Sequence, residues 1–185
     1  MHKATVGALL AASVLAGGVV LASPAQAAGS CVGPIKNDFN VTIPGPRPDL
    51  TFYIKNCANV IDNEVTGYSL TSWGPIDPQG RLEDKRFTSF VITTRIEARE
   101  GVPAPFNKDK VITSKSCDLT ALVNKHVEFV GREDDFEDPV SRCVAPAATF
   151  DNNLWWSADS TITYDIEGDS QGTITQQVNG SPLLN

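Results

Sequence analysis

Histidine is the scarcest of the residues that carry chemistry: the 185-residue chain has two, His2 and His126. His2 falls in an amino-terminal segment that reads as removable, so a Ser-His-Asp arrangement would have to use His126 as its base. No G-x-S-x-G elbow or other nucleophile motif accompanies it. Beside an expected helix end, His126 reads as a capping or surface residue. Cysteine is nearly as sparse, at four. There is no C-x2-C pair, and that spacing disfavours the rival reading of a zinc site. Basic residues are outnumbered, 15 Lys and Arg against 22 Asp and Glu, for a formal charge of −7. Such a balance repels phosphate backbones and anionic lipid, so neither nucleic acid nor a membrane surface is an expected partner. Beyond Ala22 no run is apolar enough to span a bilayer.

What is present begins with a basic start at His2 and Lys3, an apolar run from Ala4 to Ala22, and the small-residue stretch Ser23-Pro24-Ala25-Gln26-Ala27. That layout is expected of a bacterial-type secretory signal cleaved after Ala27. A transmembrane anchor is the rival, but Gly17, Gly18 and the Ala-Gln-Ala site fit cleavage better. Residues 1–27 are thus expected to be signal and residues 28–185 one secreted, extracellular domain, long enough to bury a single core. Without Lys3, 14 basic residues face 22 acidic ones, a charge of −8. All four cysteines, Cys31, Cys57, Cys117 and Cys143, follow the cut, in a compartment where disulfides persist. Four cysteines allow three pairings. The shorter loops favour Cys31 with Cys57 and Cys117 with Cys143, each bridge stabilising by roughly 3 to 4 kcal/mol on the chain-entropy model.

From Leu50 onward apolar residues recur at period two, and β-branched and aromatic residues are frequent, which is the pattern of strands. The clearest run, Phe87 to Ala98, places Phe90, Ile92, Thr94, Ile96 and Ala98 on one face and Val91, Thr93, Arg95 and Glu97 on the other. A second, Trp155 to Glu167, turns Trp156, Ala158, Ile162, Tyr164 and Ile166 inward. Shorter candidates are Phe39 to Ile43, Leu50 to Cys57, Glu64 to Trp73, Lys110 to Ser116, Val127 to Gly131, Arg142 to Phe150 and Thr173 to Val178. Breakers such as Pro44-Gly45-Pro46-Arg47-Pro48, Gly74-Pro75 and Gly168 to Gly172 separate them. The expected fold is all-β, an antiparallel sandwich or barrel of about eight strands, with one short helix near 119–125 capped by Asp118.

No motif names a reaction. Trp155-Trp156 is the most informative pair, because adjacent strand residues point to opposite faces. Trp156 is expected inward, leaving Trp155 on a polar face with Asp159, where a sugar ring or a partner chain can stack. The alternatives are a sandwich-edge strand buried on both sides, or a bulge that turns both indoles inward. Paired carboxylates such as Asp159 and Glu167 keep a glycan hydrolase open. The proline-stiffened loop from Pro103 to Asn107 keeps a protease inhibitor open. The acidic run Glu133-Asp134-Asp135-Phe136-Glu137-Asp138 reads as a solvated turn. Asp165, Glu167 and Asp169 begin a calcium-loop spacing that fails at Ser170 and Gln176, so no metal is expected. The resulting expectation is a non-enzymatic, cofactor-free secreted protein binding an extracellular protein or polysaccharide through Trp155 and Asp159.

Overall fold

The alternation of apolar and polar residues resolves into eight strands and one helix in the computed structural model, which describes residues 37–77, 85–101, 109–126, 128 and 142–185. The strands are β1 (Asn37–Val41), β2 (Leu50–Ile61), β3 (Glu64–Pro75), β4 (Phe87–Arg99), β5 (Lys110–Asp118), β6 (Arg142–Thr149), β7 (Trp155–Ile166) and β8 (Ile174–Val178). The helix, α1 (Thr120–Lys125), lies between β5 and β6. Two four-stranded antiparallel sheets result, sheet A in the order β1-β2-β3-β6 and sheet B in the order β5-β4-β7-β8. They stack as a sandwich, as expected from the sequence. Of the candidate strand Val127 to Gly131 only Glu128 is described, and it is not in a strand; the Pro103–Asn107 loop and the acidic run 133–138 lie outside the described residues. Among the described residues no helix is long and apolar enough to cross a membrane.

Asp62 and Asn63 join β2 to β3 with φ of 50° and 64°. Two consecutive left-handed residues are the backbone of a type I′ turn, whose twist matches that of the paired strands. Both inward faces predicted from alternation are buried: Phe90, Ile92, Thr94, Ile96 and Ala98 on β4, and Trp156, Ala158, Ile162, Tyr164 and Ile166 on β7. At one end of the sandwich, rings from both sheets fill the core. Phe52 stacks on Phe90 at 4.6 Å between centroids and meets Phe87 edge-on at 5.8 Å. Phe39 of sheet A reaches Tyr164 of sheet B at 6.1 Å. The opposite end holds smaller residues around Trp156, namely Val65, Ile96, Ala98, Ala145 and Ala148. There Gly67 lets the sheets close together: a Cβ on it would stand 2.8 Å from Ile96 Cγ1 and 3.1 Å from Ala158 Cβ.

Between the two apolar clusters runs a buried polar belt, one residue from each central strand: Asn56, Ser69, Thr94 and Ser160. Ser69 and Ser160 donate to Asn56 Oδ1 at 2.6 and 2.9 Å, and Thr94 donates to Ser69 Oγ at 2.7 Å. Asn56 Nδ2 donates to the carbonyl of Asn179 at 2.8 Å. Every hydroxyl in the belt has a partner, which is the condition for polar groups to be tolerated in a core.

The two long edges of the sandwich close differently. At one, the Cys117–Cys143 disulfide joins β5 of sheet B to β6 of sheet A, with 5.8 Å between Cα atoms. At the other, the Asn37 amide reaches across from β1, accepting from Asn179 N–H at 3.0 Å and donating to its carbonyl at 2.8 Å. Cys57 is fully buried and disulfide-bonded; Cys31 lies outside the described residues.

The helix closes the aromatic end. Asp118 Oδ1 accepts the Thr120 N–H at 2.8 Å, and bonds from the Thr120 hydroxyl and N–H hold the Asp118 carboxyl below its ordinary pKa. Helical geometry starts one residue later than the sequence reading placed it, with Leu119 in the N-cap position. The Asn124 side chain binds β4 as a strand would, accepting from Arg86 and Phe87 N–H at 2.7 and 2.9 Å and donating to the Phe87 carbonyl at 2.9 Å. Buried Arg86 donates to the carbonyls of Val123 and His126 at the helix end, a favourable place for a cation. Burial, reinforced by Arg47, pulls the Arg86 pKa down.

Candidate functional site

The outer face of sheet B carries the sequence-predicted residues Trp155 and Asp159. Alternation along β7 sets Trp155, Ser157, Asp159 and Thr161 outward, and the antiparallel register lays Arg99, Glu97, Arg95 and Thr93 of β4 opposite them in turn. Trp156 is buried at 3% exposure, its indole N–H bonded to the Asp151 carbonyl at 2.9 Å. Trp155 is half-buried. The two indoles therefore divide between core and outer face, and no bulge interrupts the β4–β7 register beside them.

Arg95 organises the centre of this face. Its Nε lies 2.8 Å from Glu97 Oε1, its Nη2 lies 3.4 Å from Asp159 Oδ2, and its Nη1 donates to the Thr161 hydroxyl. Thr161 donates onward to Gln177 of β8 at 3.1 Å. Asp159 Oδ1 accepts the N–H of Ser160 at 2.6 Å. The Asp159 pKa is raised to about 6, first by burial and next by the neighbouring Glu97 charge, against the opposing pull of the Ser160 N–H and Arg95. Gly180 approaches this strand closely, since a Cβ there would stand 3.1 Å from the Ala158 carbonyl oxygen. Ser157 and Glu97 on this face are buried at 7% and 8% exposure, so the groups left towards solvent are the half-buried Trp155, Arg95, Asp159 and Thr161, an indole, a guanidinium, a carboxylate and a hydroxyl that can stack on a ring and exchange hydrogen bonds with it.

Other predicted residues stand apart from this face. Asp159 lies on β7 and Glu167 just past its end, eight residues on, about 26 Å at the rise of a β-strand, whereas two-carboxylate hydrolases hold their pair within about 10 Å. Glu167 is engaged elsewhere, 2.6 Å from Lys85 Nζ and accepting from Thr88 at 3.1 Å, and these contacts lower its pKa. Asn153 folds back on Asp151 through its N–H and its amide, and the Asn152 carbonyl accepts from Asn185. Asp169 Oδ1 accepts the Gln171 N–H at 2.9 Å in an Asx turn, while its Oδ2 is buried without a hydrogen-bond partner among the described residues. Among the described residues no group of three or more His, Cys, Asp and Glu is placed to hold a metal ion.

Sequence reasoning placed Arg95 and Glu97 on an outer face but did not join them to Asp159. The information that joins them is the pairing of β4 with β7, distant in the chain, and alternation within a strand carries no trace of it. Two shallow clefts lie elsewhere, one lined by Asn37, Phe39, Gln176 and Asn179 at the β1–β8 edge, the other by Asn63, Phe150 and Asp151. No protein-family model, no curated protein and no solved structure matches the chain.

Proposed function

We propose that this chain is an exported, non-enzymatic β-sandwich that binds an extracellular protein or cell-envelope polysaccharide through the outer face of sheet B. The observation that carries the reading is the half-buried Trp155 on the same outer face as the half-buried Arg95, Asp159 and Thr161. Large aromatics left partly in water beside polar groups mark contact surfaces. Trp73 and Trp156 are sealed at 2% and 3% exposure, so a ligand on this face perturbs chiefly the fluorescence of Trp155. Titration with purified envelope polysaccharides and secreted proteins is expected to shift that emission, and Trp155→Ala to abolish the response. A flat titration, or one that survives the substitution, overturns the reading. Export itself is tested by amino-terminal sequencing of protein from the medium, with Ala28 expected as the first residue.

The raised pKa of Asp159 beside Glu97 supports a second reading, glycan hydrolysis with a protonated Asp159 as general acid. Turnover of a glycan that is lost in both Asp159→Asn and Glu97→Gln would displace the binding reading; absence of turnover removes the hydrolase.

A further inference from the structure

The outer face of sheet B continues past Asp159 as a hydroxyl-rich platform. Register sets Ser116, Thr93, Thr161 and Gln177 in one row across the four strands, and Val91, Thr163 and Thr175 in the next. Ser116, Thr175 and Gln177 are exposed and Thr93, Thr161 and Thr163 half-buried, so both rows are open to solvent. Bonds between neighbouring strands hold these groups in place: Thr93 with Ser116 at 2.8 Å, Thr161 to Gln177 at 3.1 Å and Thr163 with Thr175 at 3.4 Å. A hydroxyl carries one donor and two acceptor sites, so each keeps capacity for a further partner.

We propose that the ligand of this face is an uncharged glycan chain lying along β7, with one sugar ring on Trp155 and the hydroxyls of the following sugars on Asp159, Thr161 and Thr163. The assignment rests on the outer face being the contact surface. Length selects a chain over a single sugar: from Trp155 to Thr163 is eight residues, about 26 Å at the rise of a β-strand. Charge selects a neutral one. Arg95 is answered by Glu97 and Asp159, and Arg99 by Asp109, so no guanidinium stands open to an acidic polymer. Glu97, the carboxylate that a basic polymer would need beside Asp159, is buried.

The same face is poorly suited to a protein partner. Protein interfaces centre on an apolar core and cover about 800 Å² on each side. Of the exposed large apolar side chains among the described residues, only Val111 and its bulged neighbour Ile112 lie near this face, at its β5 edge. A sugar instead offers C–H groups to an indole and hydroxyls to Thr and Asp. Hydroxyls already fixed by lateral bonds lower the ordering cost of binding it.

The test is calorimetry and Trp155 emission on the oxidised exported protein at physiological ionic strength. The panel comprises neutral cello- and manno-oligosaccharides, acidic oligogalacturonates, basic chitosan oligosaccharides and secreted proteins. Expected are binding of a neutral series that tightens from disaccharide to hexasaccharide, and binding roughly tenfold weaker or worse for the charged series. Thr161→Val with Thr163→Val is expected to weaken the neutral hexasaccharide roughly tenfold, and Thr93→Val on the adjacent strand to weaken it as well, with circular dichroism unchanged. Affinity indifferent to chain length, or unchanged in Thr93→Val and in the double variant, would overturn the proposal. A charged glycan or a secreted protein that shifts Trp155 emission while neutral glycans do not overturns the ligand class and leaves the contact surface standing, whereas silence from the whole panel overturns both.

Discussion

Asn56 sits where two hydroxyls and a backbone carbonyl converge inside the sandwich, so Asn56→Leu changes shape little but removes their common partner. The Asn179 carbonyl keeps its bond from Asn37 and Ser69 keeps Thr94 beside it. Ser160 is left with no acceptor at a site of zero exposure. An orphaned buried hydroxyl costs about 1–3 kcal/mol, and with the lost bonds the substitution is expected to destabilise by about 2–4 kcal/mol. The sharper test is Ser160→Ala in two backgrounds. In the native protein it removes a good bond, leaves Asn56 Oδ1 still served by Ser69, and costs about 1 kcal/mol. In Asn56→Leu it deletes the orphan and restores about 1 kcal/mol, a coupling of about 2 kcal/mol. Urea unfolding of the oxidised protein, followed by tryptophan emission and by circular dichroism, reads both values if the m-value is unchanged. Equal effects of Ser160→Ala in the two backgrounds would refute the claim that the belt acts as a unit.

Replacing both Cys117 and Cys143 by Ala opens a loop spanning a sequence separation of 26, and the chain-entropy relation gives a loss of about 3.5 kcal/mol, measurable as a lower urea midpoint. Asp159 binds its proton more tightly folded, with a pKa of about 6, than unfolded. Stability therefore falls as pH rises between about 4 and 6 and levels off above. Asp159→Asn removes that slope, so its stability relative to the parent should rise by about 1–2 kcal/mol across this window, a figure reduced for solvent screening at a partly exposed site. Parallel pH profiles would contradict it. Gly67→Ala forces a methyl against Ile96 and is expected to cost about 1–3 kcal/mol in thermal unfolding, with Ile96→Val in the same chain recovering part of the loss.

Strand positions were legible because both faces of β4 and β7 are written in alternation: Phe90 to Ala98 and Trp156 to Ile166 fall inward as residue type dictates. Ends were less legible. β2 runs on to Ile61 because Asp62-Asn63 forms the tight turn, a signal weaker than Asn-Gly that the sequence reading passed over. Ser160 was left out of the inward set as a polar residue, yet the strand period requires it there, and what makes it tolerable is Asn56, 104 residues away. The same limit governs the site. Trp155 and Asp159 were found from one strand, while Arg95 and Glu97 joined them only when register brought β4 alongside. Side-chain period is a local property, whereas partnership between strands is set by the whole topology.

The unequal closure of the two long edges makes the molecule a bound volume, with covalent stitching along its spine and, among the described residues, a paper clasp at its fore-edge where the Asn37 and Asn56 amides meet Asn179. Thermal opening of the covers is expected to begin at the clasp, and the pages nearest to it, with Phe39 and Tyr164 printed on them, to be wetted first.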